Sequence, residues 1–217
     1  MVKPSFKVEE GRTYITVPHL EKELRFIAPI HGPGNYKTVR DSIHSQGDIE
    51  PTIAETTSLV YAATQNKENK YASQILDTLR KGWFWGFNGV LYVPSEGAFI
   101  QDRPDFNENG VIIDRNKARH IPFGYTVGED NNIEKNPFAI ALAGEEGVGL
   151  LAKIAKDLKK TPYIWALTKD DVVSEQKRVA SLSSVGSSLG LYGSGSGVRD
   201  GYGYAFGVFS AGRDFNS

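Results

Sequence analysis

The sequence predicts an α+β protein, with a few helices in its first two-thirds and strands and loops in its last third. Two segments have apolar side chains at helical spacing, several short runs are apolar and rich in β-branched residues, and no helical pattern follows Leu167. Because 217 residues are enough for one domain of generous size, we expect a single domain over residues 1–217.

The first 82 residues contain signals for one strand, one loop and two helices. RTYITV at 12–17 alternates and is β-branched, which predicts a strand, and HGPGN at 31–35 predicts a turn or loop. TIAETTSLVYAATQ at 52–65 follows a proline and predicts a helix. KENKYASQILDTLRKG at 67–82 places Tyr71, Ile75, Leu76 and Leu79 on one helical stripe and ends at a glycine.

The middle of the chain predicts mainly short strands. WFWGFNGVLYVP at 83–94 has two apolar runs around Asn88 and Gly89, which predicts a hairpin turn at that pair. Further strands are predicted at SEGAFIQ (95–101), GVIID (110–114), FAIALAG (138–144) and PYIWAL (162–167). A helix is predicted for GEEGVGLLAKIAKDLKK at 144–160, with glutamates in its first turn and lysines in its last.

Composition and charge exclude several classes of function. The net charge is −1 without a basic block, which argues against a nucleic-acid partner, and the absence of cysteine excludes disulfides and thiolate metal sites. The first residues, MVKPSFKVEEGRTYITV, carry charges where a signal peptide needs an apolar stretch, and no run has the length of a membrane span. Localisation therefore stays open, including display on a cell or virion surface.

Two motifs resemble ligand-binding loops. GEEGVG at 144–149 lacks the lysine and Ser/Thr of a phosphate-binding loop, so we expect a tight strand-to-helix turn. DFNENGVIIDRN at 105–116 matches the first half of a calcium loop, but Asn116 stands where the bidentate glutamate belongs. We expect an Asx-rich turn between strands at Asp105–Asn109, with a weak calcium or sodium site as the alternative. No metal site and no cofactor are predicted.

A candidate enzyme site can be assembled from loop residues. His31, Asp41 and His44 fall in one segment without a helical or strand signal, and His120 could join them around a pocket. No nucleophile motif accompanies them, so a small hydrolase-like enzyme is the alternative and no catalytic residue is predicted. The aromatic run Trp83, Phe84, Trp85 and Phe87 is expected to supply core packing, with Phe84 pointing opposite to the other three.

The last forty residues differ in composition from the rest of the chain. Residues 178–217 include 9 Gly and 9 Ser but no Lys, Glu, Gln, Trp or Met, which together account for 38 of the first 177 residues. At that frequency about eight or nine would be expected in forty residues of ordinary composition. A solvated linker would favour Lys, Glu and Gln, and it would not need the alternating apolar residues of YAFGVF at 204–209.

The residue types missing from these last forty residues, here called the tail (178–217), share a genetic property. Lys, Glu, Gln, Trp and Met are the amino acids that codons ending in C or T cannot encode. Randomising the adenines of the asparagine codons AAC and AAT produces the remaining repertoire, which is how diversity-generating retroelements vary their target proteins. The tail composition therefore favours a diversified segment over a linker.

The tail and the middle of the chain resemble a known family. RVASL, a Ser/Gly/Tyr/Asp-rich stretch and GYAFGV together resemble the end of retroelement variable proteins. GFNGVLYVPSEGAFIQDRP, HIPFGYTVGE and NPFAIALAGEEG are similar to archaeal members of that family from nanoarchaeal-type organisms. The resemblance covers about residues 80–210 and implies a C-type-lectin-like fold whose variable region, 178–210, forms a strand-and-loop face. The chain lacks the cysteine pair and the calcium motif of lectins, which argues against sugar binding.

The family resemblance implies a ligand-binding function without catalysis. The expected partner is an unidentified protein or other surface macromolecule, and a structural protein of a virus or cell surface is an overlapping alternative. The predicted ligand-binding positions are Ser184, Val185, Ser187, Ser188, Gly190, Tyr192, Ser194, Ser196, Val198, Arg199, Asp200 and Tyr202. Tyr supplies large, stiff contact area and Ser and Gly adapt, as in antibody paratopes. We expect these side chains on one exposed face.

The apolar residues between these positions are expected to form the scaffold beneath the face. The residues expected to be substantially buried are Val179, Leu182, Leu189, Tyr204, Phe206 and Val208. Gly186, Gly193, Gly195 and Gly197 are left open, because a glycine here is either varied or required by a turn.

Overall fold

The computed structural model describes residues 5–9, 12–196 and 202–209. The described part contains four α-helices: α1 (Tyr36–Ser45), α2 (Ile53–Thr64), α3 (Lys70–Lys81) and α4 (Pro137–Leu158). Its thirteen strands are β1 (Ser5–Glu9), β2 (Arg12–His19), β3 (Lys22–Gly34), β4 (Trp83–Val93), β5 (Gly97–Asp102), β6 (Asp105–Asn107), β7 (Gly110–Ile112), β8 (Arg119–Ile121), β9 (Gly128–Glu129), β10 (Thr161–Trp165), β11 (Gln176–Ser183), β12 (Ser188–Gly195) and β13 (Gly203–Val208). Short 3₁₀ helices lie at Ile133–Lys135 and Lys169–Asp171.

Eleven of the described strands form one mixed sheet. Its order is β1-β2-β3-β13-β4-β11-β12-β10-β9, with β5 paired to β4 and β8 paired to β5, while β6 and β7 form a separate hairpin. Two pairs, β10 with β12 and β13 with β4, are parallel, and the other pairs are antiparallel. The predicted α+β class is confirmed.

The two faces of the sheet are covered unequally. Helices α2, α3 and α4 cover one face, where their apolar residues, such as Leu59, Leu79 and Leu151, join strand residues in the main core. On the other face, α1 and the β6–β7 hairpin cover a smaller cluster that contains Tyr36 and Trp85. Part of this second face, over β11, β12 and β10, therefore stays open to solvent in the described structure.

Helices α2 and α3 form where the sequence predicts them. Thr52 caps α2, and its side chain and that of Glu55 exchange hydrogen bonds with each other's backbone N–H in a capping box. Asn69 caps α3, whose predicted stripe buries Ile75, Leu76 and Leu79 before the helix ends at Gly82. Both helices combine a side-chain cap with an apolar face, and both predictions are confirmed.

The predicted hairpin at Asn88 and Gly89 is wrong, because β4 runs straight through that pair. The Asn88 side chain is fully buried, accepts a hydrogen bond from the Ile53 N–H at 2.8 Å and donates to Asp102 at 2.5 Å. A register shift against β11 accommodates the pair instead of a turn. Asn88 thus ties the start of α2 to the sheet, a contact between residues 35 positions apart.

The predicted loop at 31–35 is also replaced by regular structure. Strand β3 continues to Gly34, and Asn35 caps α1 by accepting a hydrogen bond from the Thr38 N–H at 2.8 Å. Asp41 and His44 consequently lie on a helix and not in a loop. The backbone of β3 is held extended across this glycine- and proline-containing stretch by pairing with β13 on one side.

The strand predicted at 138–144 is helical. Asn136 caps α4 by accepting hydrogen bonds from the N–H groups of Phe138 and Ala139, and Pro137 occupies the first turn. The helix then continues through the GEEGVG motif, with a kink at Gly144, where φ is 73°. The predicted strand-to-helix turn is therefore a kink between two helical segments, because the residues before Gly144 are helical and not extended.

The motif at Asp105–Asn109 is a tight hairpin between β6 and β7. The Asn107 side chain accepts a hydrogen bond from the Asn109 N–H at 2.8 Å, which confirms the predicted Asx-type turn. Among the described residues, none of the helices has the length and apolar character needed to cross a membrane.

Candidate ligand-binding face

The C-terminal segment with the unusual composition supplies strands in the middle of the sheet. Strand β13 lies between β3 and β4, and β11 lies between β4 and β12. The predicted scaffold residues Val179, Leu182, Leu189, Phe206 and Val208 are all buried, and Tyr204 is half-buried. The prediction that this segment is folded is confirmed for its described residues.

Side-chain alternation in β11 and β12 separates a core side from an open side. Leu182, Leu189 and Leu191 point toward the helices and belong to the main core. Ser181, Ser183 and Tyr192 line a cavity on the opposite face of the sheet. The tail strands therefore contribute at once to the core and to an open surface.

The open surface contains a shallow cleft of about 340 Å³. Its lining residues are Trp83 and Trp85 of β4, Ser181 and Ser183 of β11, Tyr192 and Gly195 of β12, and Val185. Because β11 lies between β4 and β12 and carries small serines here, it forms a low floor between two aromatic walls. No charged side chain lines this cleft among the residues that the structure describes.

Tyr192 is supported by two aromatic residues from the strand beside it. The Trp165 ring lies parallel to the Tyr192 ring, with a centroid distance of 5.7 Å and an interplanar angle of 2°. Tyr163 stacks on Trp165 at 4.5 Å. The parallel register that places Trp165 opposite Tyr192 aligns the three rings in a row. This aromatic row (Tyr163, Trp165 and Tyr192) is partly exposed.

The predicted positions fall into three groups in the structure. Val185, Ser187 and Tyr202 are exposed, and Ser188, Tyr192, Ser194 and Ser196 are partly exposed. Val198, Arg199, Asp200 and Gly197 lie outside the described residues. Ser184 and Gly190 are buried, so the prediction of an exposed position is wrong for these two.

Ser184 is buried because it lies against the end of α3. Its N–H donates to the Leu79 carbonyl at 2.8 Å, and its side chain is only 2% exposed. The hydroxyl has no hydrogen-bond partner. A larger side chain at this position would have to displace the helix end, which is a poor property for a diversified position.

Gly190 is buried beneath the Tyr192 ring. A Cβ atom placed on Gly190 would lie 2.5 Å from a ring carbon of Tyr192, which is too close for any real contact. Position 190 can therefore accept a side chain only when Tyr192 moves or is itself replaced. The two positions are coupled and do not vary independently.

We expect a double-mutant cycle to detect this coupling. Gly190→Ala should destabilise the protein by about 1 kcal/mol, because the displaced Tyr192 ring loses its stack on Trp165. In a Tyr192→Ser background the same change should cost close to nothing, which leaves an interaction energy of about 0.5–1 kcal/mol. Urea unfolding of the four proteins measures it, and additive effects would contradict the coupling.

Two other tail glycines have structural roles. Gly186 has φ of 60° in the exposed turn between β11 and β12, where Lys160 donates to its carbonyl. A Cβ atom on Gly193 would lie 2.4 Å from the Phe138 ring, so this glycine lets β12 pack closely on α4. Both glycines therefore belong to the scaffold and not to the variable ligand-binding positions.

The residues of the alternative enzyme site have separate partners. Asp41 pairs with Lys37 on the surface of α1, and His120 stacks on Phe99 at 4.5 Å. His44 contacts Glu50 at 2.7 Å, and Arg40 donates to the same carboxylate. Burial by itself would raise the pKa of Glu50, but its hydrogen bonds to His44, to its own backbone and to Arg40 lower it below the ordinary value.

His31 is buried next to β13 and has an unusual environment. Its Nδ1 lies 2.8 Å from the Ser42 hydroxyl, and its Nε2 has no hydrogen-bond partner. Burial lowers the pKa of His31 below its usual 6.5, because the charged imidazolium would lose its hydration. Folding therefore disfavours the protonated form of this side chain.

Acidification is expected to destabilise the protein through His31. The unfolded chain protonates this histidine near pH 6.5, while the folded chain resists protonation. The contribution of His31 to stability is therefore complete above pH 6.5 and decreases as the pH falls below it. The contribution stays below about 1.4 kcal/mol per pH unit, the limit for one proton. Urea midpoints between about pH 8 and pH 5.5 should show a smaller decrease in His31→Asn than in the parent. An equal decrease in both proteins would contradict the assignment.

A second cavity, of about 200 Å³, lies at the kink of α4. His19 and Ser58 line it and interact there, with Nδ1 of His19 2.9 Å from the serine hydroxyl. Ser58 also donates to the Ala54 carbonyl one turn earlier in α2, an ordinary arrangement for a helical serine. Within the described residues, no three His, Asp or Glu side chains converge as metal ligands.

Several cleft residues were not among the predicted binding positions. Ser181 and Ser183 were not singled out, and Trp83 and Trp85 were expected only to pack in the core, which Trp85 does. Tyr163 and Trp165 alternate in TPYIW, so the sequence places them on one face of a strand. The sequence does not show that this strand pairs in parallel with β12, and that pairing brings Trp165 to Tyr192.

Comparisons of the chain with protein-family models, with curated proteins and with solved structures found no match.

Proposed function

We propose that this chain is a ligand-binding protein with a C-type-lectin-like fold, whose region 178–210 is diversified by a retroelement. The proposal assigns it no catalytic activity of its own. The observation that carries the proposal is the repertoire of the tail, from which every amino acid that needs a purine-ending codon is missing. The ligand is an unidentified protein or other surface macromolecule.

The division of the tail into two sets of positions supports this proposal. Val185, Ser187 and Tyr202 are exposed, whereas Leu189 and Phe206 are buried in the core. Variation is tolerated at exposed positions, while a core responds even to the loss of one methylene group. A protein of this design can change its surface residues without losing the fold that carries them.

The location of the tail strands supports the proposal as well. Because β11 and β13 each lie between two other strands, their backbones are held by hydrogen bonds on both sides. A site carried on such strands loses little conformational entropy when it binds. A diversified loop without this support would have to be ordered anew by each ligand.

Sequencing this gene in many individuals from its source population tests the diversification. We expect variation concentrated in codons 178–210 and confined to sites where the template copy of the segment has an adenine of an AAC or AAT codon. Codons 182, 189 and 206 should be constant. A near-repeat of the segment that carries adenines at the variable sites should lie nearby. Variation spread evenly along the gene, or an invariant tail, would contradict the proposal.

A selection experiment tests the binding function separately. A library with codons ending in C or T at Val185, Ser187, Ser188, Tyr192, Ser194 and Tyr202 is displayed and selected against each of several folded proteins. We expect folded binders whose affinity is lost when the parental tail residues are restored. If folded variants are abundant but none binds any of several targets, the ligand-binding function is contradicted.

A further inference from the structure

We infer that the cleft between Trp83, Trp85 and Tyr192 accepts one uncharged aromatic side chain from a protein partner. This inference rests on the proposed function, because it names the chemistry that the proposed binding face recognises. The cleft is lined both by residues of the tail and by Trp83 and Trp85, which lie outside the tail.

The dimensions of the cleft suit one aromatic ring. Its two walls stand on β4 and β12, which are separated by β11 and are therefore two strand spacings, about 9.6 Å, apart. An aromatic ring that contacts both walls needs two centroid distances of about 4.5–7 Å each. The floor between the walls carries only Ser181 and Ser183, so a ring can enter without displacing a large side chain.

The volume favours a side chain over a larger ligand. At about 340 Å³ the cleft is at the lower end of the range for small-molecule pockets, and it opens onto the exposed Val185. Protein interfaces commonly bind one aromatic anchor in such a pocket, with less critical contacts around it. The exposed positions of the tail beside the cleft would make those surrounding contacts.

The charge of the lining determines the kind of ring. None of the described residues that line the cleft is charged, so a charged group entering it would lose hydration without gaining a counter-charge from them. The two serine hydroxyls on the floor can instead bond the polar edge of a tyrosine or tryptophan. The lining therefore favours an uncharged aromatic side chain over a carboxylate, and competition by tetramethylammonium distinguishes it from an ammonium group bound by the ring faces.

One wall of the cleft is held in place before a ligand arrives. Trp165 stacks on Tyr192 with an interplanar angle of 2°, and Tyr163 stacks on Trp165 in turn. Ring orientation at Tyr192 is thus set by two residues outside the variable region, which reduces the entropy lost on binding. Replacement of Tyr192 by diversification would open or close this pocket while Trp83 and Trp85 stay constant.

Fluorine NMR of the full chain tests this inference with N-acetyl-para-fluorophenylalanine amide as the probe. We expect the probe signal to broaden with the parent protein and the probe to bind about three- to tenfold more weakly to Tyr192→Ser and to Trp83→Leu. Tyr61→Ser removes a tyrosine from α2, on the opposite face of the sheet and outside the predicted ligand-binding positions, and it should bind like the parent. Tetramethylammonium and methyl glucoside should not displace the probe.

Two results would overturn the inference: no broadening with the folded parent, or equal broadening with the parent and both wall variants. Displacement by tetramethylammonium would assign the cleft to cations instead. A thermal melt of each variant establishes that it is folded. Ser181→Leu, which fills the floor without removing the hydrogen bond between Ser183 and Tyr192, provides an independent block. If selected tail binders engage a protein that the probe does not compete with, the inference fails while the proposed function stands.

Discussion

Replacement of Phe206 by alanine is expected to lower the free energy of unfolding by roughly 3–5 kcal/mol. Phe206 is 2% exposed and lies on β13, between β3 and β4, where its ring is 6.2 Å from that of Phe84. Truncation would leave a cavity in the main core that neighbouring strands cannot fill without moving. Urea-induced unfolding followed by fluorescence measures the change.

Tyr202→Ala is the matched control for Phe206→Ala. Tyr202 lies in the same segment, four residues earlier, and is 71% exposed. Its removal should change stability by less than about 0.5 kcal/mol, as at ordinary surface positions. Similar losses of unfolding free energy in both variants would contradict the division of the tail into scaffold residues and ligand-binding positions.

Replacement of Trp85 by alanine is the second change with a large expected effect, again roughly 3–5 kcal/mol. Trp85 is 1% exposed, and its indole N–H donates to the Gly34 carbonyl at 3.1 Å. Its ring also packs edge-on against Tyr36 of α1 at 5.8 Å. The substitution would remove the ring that joins β4, β3 and α1 and would leave the Gly34 carbonyl without its donor.

Trp165→Ala provides the control for Trp85→Ala, because it removes the same side chain from a 44% exposed position. We expect a loss of about 1 kcal/mol, which reflects the stacks on Tyr163 and Tyr192. Trp85→Ala should also weaken binding of the fluorinated probe more than Trp165→Ala, because Trp85 lines the cleft and Trp165 only supports one of its walls. A loss for Trp165→Ala as large as that for Trp85→Ala would mean that the aromatic row is a core element.

The helices that the sequence predicted correctly are those with signals within a few residues. In α2 and α3, three signals indicate the same helix: a capping residue at its start, an apolar stripe along it, and a glycine or polar residue at its end. Local preference and tertiary packing therefore favour the same structure. The strands of the tail were predicted for a similar reason. Apolar residues at every second position, Leu189 and Leu191 in one strand and Phe206 and Val208 in another, indicate which side of each strand is buried, wherever that strand is placed.

Two of the failed predictions concern local signals that distant contacts override, and a third concerns an apolar run whose neighbouring cap decides its structure. An asparagine–glycine pair favours a turn, yet Asn88 is used as a buried hydrogen-bonding residue between α2 and β5. The apolar run at 138–144 is as compatible with a buried helix as with a strand, and only the cap at Asn136 decides between them. The glycines and prolines at 31–35 were expected to break regular structure, but pairing with β13 extends β3 through them.

Composition determined that the tail differs from the rest of the chain, and residue order determined that its apolar residues alternate as in strands. The sequence could not determine which of the predicted ligand-binding positions are exposed, because exposure depends on which distant residues pack beside them. Ser184 is covered by the end of α3, and Gly190 by the ring of Tyr192. The cleft itself needs β4, β11, β12 and β10 to be adjacent, although they lie up to about a hundred positions apart in the sequence. Such pairings are set by the packing of the whole sheet against its helices, so only the tertiary structure decides them.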